Sequence, residues 1–138
     1  MIAAVTGGRG VIPPASELAD LQAAFLRRRI RVLRVGCCPT GVDAAVHEWA
    51  LALPDRMFAI ERWVADWPAH GRKAGPIRNR GMVLGDDRCA DFVECSAVSY
   101  GPISVLVHWP GGAGTKSCVS EARSANTRWV LPIAQMKS

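Results

Sequence analysis

The sequence has no Cys-x-x-Cys pair, although it carries cysteines at 37, 38, 89, 95 and 118. That absence speaks against a zinc site, and the odd count against a closed disulfide framework. The thiols therefore read as reduced and partly buried. No apolar run approaches the roughly 18 residues that cross a bilayer. The opening stretch Ile2-Ala3-Ala4-Val5 lacks the basic flank of a secretory signal. No membrane partner is expected, and a cytoplasmic location is. Internal repeats and low-complexity segments are absent. No run of like charge exceeds Arg27-Arg28-Arg29, and the charged fraction is an ordinary 21%, which speaks against a disordered chain.

What is present suits one folded domain over residues 1–138, with 49% hydrophobic residues to build its core. The formal net charge of +5 favours an anionic partner. The basic residues are scattered and many lie beside glycines, which points to a compact anion. With no basic helix and no stacking-aromatic pattern, nucleic acid is not the expected partner.

Hydrophobic patterning alternates between strand and helix. Strands are expected at Ile2 to Thr6, Arg31 to Val35, Met57 to Ile60, Phe92-Val93, Ile103 to Val107 and Trp129 to Ile133. Helices are expected from Ser16, as cap, to Arg29, then over Val42 to Leu53, Ile77 to Leu84 and Lys116 to Asn126. Trp63 to Pro76 reads as a long polar loop. The alternation predicts an α/β fold, a three-layer Rossmann-like mostly parallel sheet with helices on both faces. Ligands of such sheets bind beyond the C-terminal strand ends, where the unusual loops of this chain all fall.

Four segments carry candidate chemistry. In Thr6-Gly7-Gly8-Arg9-Gly10, Gly7 and Gly8 let backbone N–H groups approach a phosphate, with Arg9 beside them. Pro13 stands where a G-x-G-x-x-G fingerprint needs its last glycine, so an ordinary dinucleotide site is disfavoured. In Pro110-Gly111-Gly112-Ala113-Gly114-Thr115 the same logic applies, and the Thr115 hydroxyl adds a donor. A Walker A motif fails there, because Pro110 and Thr115 occupy its glycine positions. The segment from Ala65 to Met82 gathers Asp66, Trp67, His70, Lys73, Arg78 and Asn79 around three glycines, and its Arg and Lys suit phosphate. Finally, Gly41-Val42-Asp43 opens a helix; Asp43 either accepts ribose hydroxyls or favours the positive helix end. Glu48, His47 and His108 read as structural or solvent-facing. No metal and no cofactor is expected.

Together these residues resemble a known family. G-x-D at Gly41 to Asp43, E-W-A at Glu48 to Ala50, A-D-W at Ala65 to Trp67 and H-G-x-x-A-G-P-x-R-N-x-x-M at His70 to Met82 are similar to the YspA, cpYpsA-related SLOG family. The glycine loops fit the wider SLOG superfamily, which includes Lonely Guy phosphoribohydrolases and the DNA-processing protein DprA. The resemblance implies a Rossmann-like fold that binds nucleotides or ADP-ribose-like molecules. The catalytic Arg of Lonely Guy enzymes falls on Arg78, and their catalytic Glu on Ser117. Without that carboxylate, the implied function is binding of a phosphorylated nucleotide-derived small molecule. The alternative is N-glycosidic cleavage of a nucleoside monophosphate, with Arg78 and Asp43 as catalytic candidates. The resemblance also implies a homodimer, and five tryptophans are many to bury in one small core, which makes Trp49 and Trp129 interface candidates. Asp86 to Pro102 exceeds the expected length, either to rim the pocket or to add an edge element.

Overall fold

The computed structural model describes residues 1–54 and 57–136. Its elements in chain order are β1 (Ile2–Thr6), α1 (Ala15–Arg27), β2 (Val32–Val35), α2 (Gly41–Ala52), β3 (Ala59–Val64), α3 (Trp67–His70), α4 (Ala74–Leu84), β4 (Phe92–Glu94), β5 (Val105–His108), α5 (Ala113–Ser124) and β6 (Trp129–Pro132). They form one six-stranded sheet in the order β4-β3-β2-β1-β5-β6. All neighbours pair in parallel except β4, which runs antiparallel to β3. This is the Rossmann-like, three-layer α/β fold expected from the alternation of elements. Among the described residues no helix is long and apolar enough to cross a membrane.

Parallel strands covered on both faces need near-continuous apolar runs, and β1 supplies one. Ala3, Val5, Leu33, Val35, Val105 and Val107 face one core layer with Leu21 and Phe25 of α1 and Val42, Val46 and Ala50 of α2. Ala4 and Leu106 face the other, with Trp63, Met82, Val83, Cys118 and Ala122. The β2 sequence Arg31-Val32-Leu33-Arg34-Val35 suggests alternation, yet every residue of Val32–Val35 is buried. Arg34 stands fully buried in the second layer.

Its burial is tolerated because every guanidinium nitrogen has an acceptor. Nε donates to Glu61 Oε1 at 3.0 Å. Nη1 donates to the carbonyls of Met82 at 2.8 Å and Gly101 at 2.9 Å, and Nη2 to that of Ser99. Glu61 also accepts from Trp63 Nε1 at 3.1 Å and from the Ser99 amide at 2.6 Å. The Asp86 to Pro102 segment is thus pinned to the sheet as an edge element carrying β4, and it does not line the cavity described below.

Boundaries differ where charge or capping misleads. β3 extends to Val64, through Glu61 and Arg62, rather than ending at Ile60. The expected Trp63 to Pro76 loop holds the end of β3, all of α3, a 3-10 turn at Gly71–Lys73 and the start of α4. The cap of α1 is Pro14, not Ser16. Trp49 packs against Phe58 at 6.2 Å, and Trp129 lies beneath Arg28 and Arg128. Both interface candidates therefore have partners within their own chain.

Candidate functional site

The chain leaves β1 toward β2 on one side, while β5 pairs with β1 on the other. Such a switch point opens a crevice beyond the C-terminal strand ends. Here it holds a cavity of about 590 Å³. The two glycine loops meet at its floor. The Gly8 amide donates to the Pro110 carbonyl at 2.9 Å, and the Trp109 amide to that of Thr6 at 2.9 Å. The Gly8 N–H is therefore committed to the protein, which leaves the rest of that loop to face the cavity.

Open backbone donors come from α5. Gly112 caps that helix without a side-chain bond. Helix geometry leaves the first-turn amides without intrahelical acceptors. Those of Ala113, Gly114 and Thr115 have no acceptor among the described residues, and all three residues line the cavity. The positive end of the helix dipole adds to their pull on an anion.

Arg78, on α4, is buried with 9% of its surface exposed and also lines the cavity. Nε donates to Asn79 Oδ1 at 3.0 Å, and Nη1 to the Trp63 carbonyl and to Cys37 Sγ, each at 3.1 Å. Nη2 has no partner among the described residues. Asn79 in turn donates to the Gly114 carbonyl at 3.3 Å, linking the arginine's shelf to the mouth of α5. A bidentate grip by Arg78, as the sequence suggests, is not available; one nitrogen is.

Asp43, on the first turn of α2, is the one carboxylate lining the cavity among the described residues. Burial raises its pKa above the ordinary carboxylate value, against the lowering effects of the nearby Arg78 and of the Cys38 amide, which reaches Oδ2 at 3.4 Å. Gly36 keeps this arrangement possible. A Cβ there would stand 2.6 Å from Asp43 Oδ2 and 3.2 Å from the Arg78 guanidinium.

Of the remaining sequence candidates, Gly7, Gly8, Arg9, Trp67, Gly112, Gly114 and Thr115 border the cavity. Arg9 is exposed at the rim, and Trp67 is 48% exposed at the mouth. Gly41 does not line it; with φ +75° it packs against Gly8 and Arg9 and shapes the first loop from behind. Asp66 caps α3, accepting the Ala69 amide at 3.1 Å. His70 and Lys73 are exposed outside the cavity, and Gly111 is wedged between Gly8 and Thr115.

Sequence reasoning missed Gly36 and Cys38, and quoted Thr6, Arg72, Gly75 and Met82 within its segments without singling them out. Gly36 and Cys38 follow a parallel strand, and that position was the available signal. Arg72, not Lys73, reaches the cavity, although the two are neighbours within one 3-10 turn. Ser117 is half-buried and does not line the cavity. The α5 residue close enough to Arg78 and Asp43 to feel their charges is Cys118, whose thiol burial pushes up to about 12, so it stays neutral.

No family model matches this chain, and no solved structure matches it. A similar protein is the Gene 61 protein of Mycobacterium phage D29, 34% identical over 88 residues, which cover 62% of this chain and 58% of that protein. The chain thus aligns with somewhat more than half of that relative's length.

Proposed function

We propose that this domain is a cytoplasmic module that binds a phosphorylated, nucleotide-derived small molecule in the switch-point cavity. One observation carries the reading: the uncapped start of α5 and the unpartnered Nη2 of the buried Arg78 open into the same space. Amides, a helix dipole and one guanidinium nitrogen form a set of donors suited to a single phosphate. The rim arginines Arg9 and Arg72 would steer an anion inward, and Trp67 offers a flat apolar face for a base. A cavity of about 590 Å³ suits a nucleotide-sized ligand. The resemblance to SLOG proteins points the same way, and the homodimer expectation rests on it and on the five tryptophans of so small a domain. Native mass spectrometry of protein purified without added nucleotide tests this. A co-purifying phosphorylated compound supports it, and failure to retain any nucleoside phosphate offered at millimolar concentration counts against it.

Asp43 favours a second reading, hydrolysis. A carboxyl with a raised pKa beside an arginine suits proton transfer. Water would add to the sugar's anomeric carbon as the glycosidic bond breaks, yielding ribose 5-phosphate and the protonated base. Chromatography of adenosine, guanosine and cytidine monophosphates and of ADP-ribose after incubation separates the readings. Intact nucleotides support binding alone; free base over many turnovers, lost in Asp43→Asn, supports hydrolysis.

A further inference from the structure

The edge of the sheet opposite the cavity gathers five arginines. α1 runs out into Arg27-Arg28-Arg29, Arg31 precedes β2 and Arg128 precedes β6. Both strands are parallel members of the sheet and start at this edge, with β1 and β5 between them. Their entry residues therefore lie about 14 Å apart, at ~4.8 Å per strand spacing. The end of α1 bridges that gap. Arg28 stacks over the Trp129 ring at 5.4 Å, and Arg128 over the same ring at 4.1 Å.

Arg27, Arg29, Arg31 and Arg128 are exposed, and among the described residues none of the five arginines forms an ion pair. Arg29 adopts φ 56°, in the left-handed region, where the Ile30 amide closes the end of α1 on the Phe25 carbonyl at 3.0 Å. Glycine is the residue that fits this position without steric cost. An arginine held there keeps a charge at the edge against its backbone preference. The two buried side-chain atoms without hydrogen-bond partners among the described residues, Arg28 Nε and Thr127 Oγ1, belong to this same edge.

We propose that this edge is a second binding surface, separate from the cavity, for the phosphate backbone of a nucleic acid. The cluster is all guanidinium, whose planar fork fits phosphate. A row of about 14 Å spans roughly four nucleotides of one strand at ~3.4 Å each. The sequence shows no basic helix because only three of the arginines are contiguous. Strand topology brings Arg31 and Arg128 to them.

Fluorescence anisotropy of a labelled, mixed-sequence single-stranded DNA with the full chain tests the surface. Log affinity should fall with log salt at a slope of about −3 for four phosphate contacts. The triple variant Arg27→Gln, Arg29→Gly, Arg31→Gln should flatten that slope by about 2 and weaken binding at least ~tenfold. Arg29→Gly alone should keep or raise Tm while lowering affinity, the reverse of what a purely structural arginine would do. Gly36→Ala, which disturbs only the cavity, should bind DNA as the unaltered chain does. Three outcomes would overturn the proposal: no saturable binding at low salt, an unchanged triple variant, or displacement of the DNA on equal terms by a polyglutamate of equal charge. The last would reassign the edge to an acidic protein.

Discussion

Two buried arginines on the same side of the sheet behave in opposite ways. Arg34 is fully buried, and all of its nitrogens are bound by Glu61 and three carbonyls. Arg78 is nearly as buried, yet Nη2 is left over, and the nearest carboxylate, Asp43, is close enough to influence it without forming an ion pair. Burial and charge are alike in both; satisfaction differs. A buried arginine with every donor used fastens the fold, whereas one with a donor to spare on a cavity wall is available to a ligand.

The largest expected effect is on the fastened side. Arg34→Ala leaves Glu61 buried without its counter-charge and should cost about 3–5 kcal/mol in urea unfolding. Pairing Arg34→Met with Glu61→Leu should recover most of that loss. A cost below about 1 kcal/mol for the single variant would erase the distinction.

Arg78→Ala should do two things at once. Losing the bonds to Trp63, Cys37 and Asn79 should destabilise the domain by about 1.5–3 kcal/mol. Losing Nη2 should also weaken nucleoside monophosphate binding by about ten- to a hundredfold in calorimetry. Stability loss with unchanged affinity would make Arg78 a second Arg34.

Gly36→Ala pushes Asp43 and Arg78 apart and should cost about 1–2 kcal/mol, with ligand affinity falling further than stability alone explains. Melting curves and calorimetry on the same sample would separate the two effects.

Asp43 gives a signed pH prediction. Its folded-state pKa is raised, chiefly by burial. The stability it contributes is therefore full below its unfolded pKa of ~3.9 and is lost as pH rises through the folded value. Asp43→Asn should raise Tm at neutral pH, and the gain should fade on acidification toward that value. A gain that grows on acidification would mean the carboxylate is stabilised, not strained.

The smallest effect is expected at the exposed pair Arg62–Glu94, 3.2 Å apart with side chains 30% and 55% accessible. Glu94→Ala should change stability by less than ~1 kcal/mol, within the range of surface pairs.

Apolar runs made β1, β5 and β6 legible in the sequence; for β1 and β5 the reason is that a strand covered on both faces must be apolar throughout, whereas β6 is a half-buried edge strand. The same rule hid Arg34 and half of β3. Nothing local in Glu61 or Arg62 announces a buried partner at Arg34, a pairing that needs the register of β2 against β3. The edge on which the loops gather was legible from chain order alone, and it located the glycine loops and Arg78. Which member of a basic pair turns inward was not, since Arg72 and Lys73 differ only by a step of a 3-10 turn. The division of labour between the glycine loops was also hidden. The Gly8 amide serves the Pro110 carbonyl, whereas the first-turn amides of α5 stay open toward the cavity.

The open donor of Arg78 and the start of α5 are proposed to form one anion site. An NMR titration of isotope-labelled protein with adenosine monophosphate, and with adenosine in parallel, tests it most directly. Shifts are expected at the Ala113, Gly114 and Thr115 amides and at the Arg78 side chain, strong for the nucleotide and weak for the nucleoside, with Arg27 to Arg31 unmoved. Equal responses to both compounds, or shifts confined to the opposite edge, would contradict it.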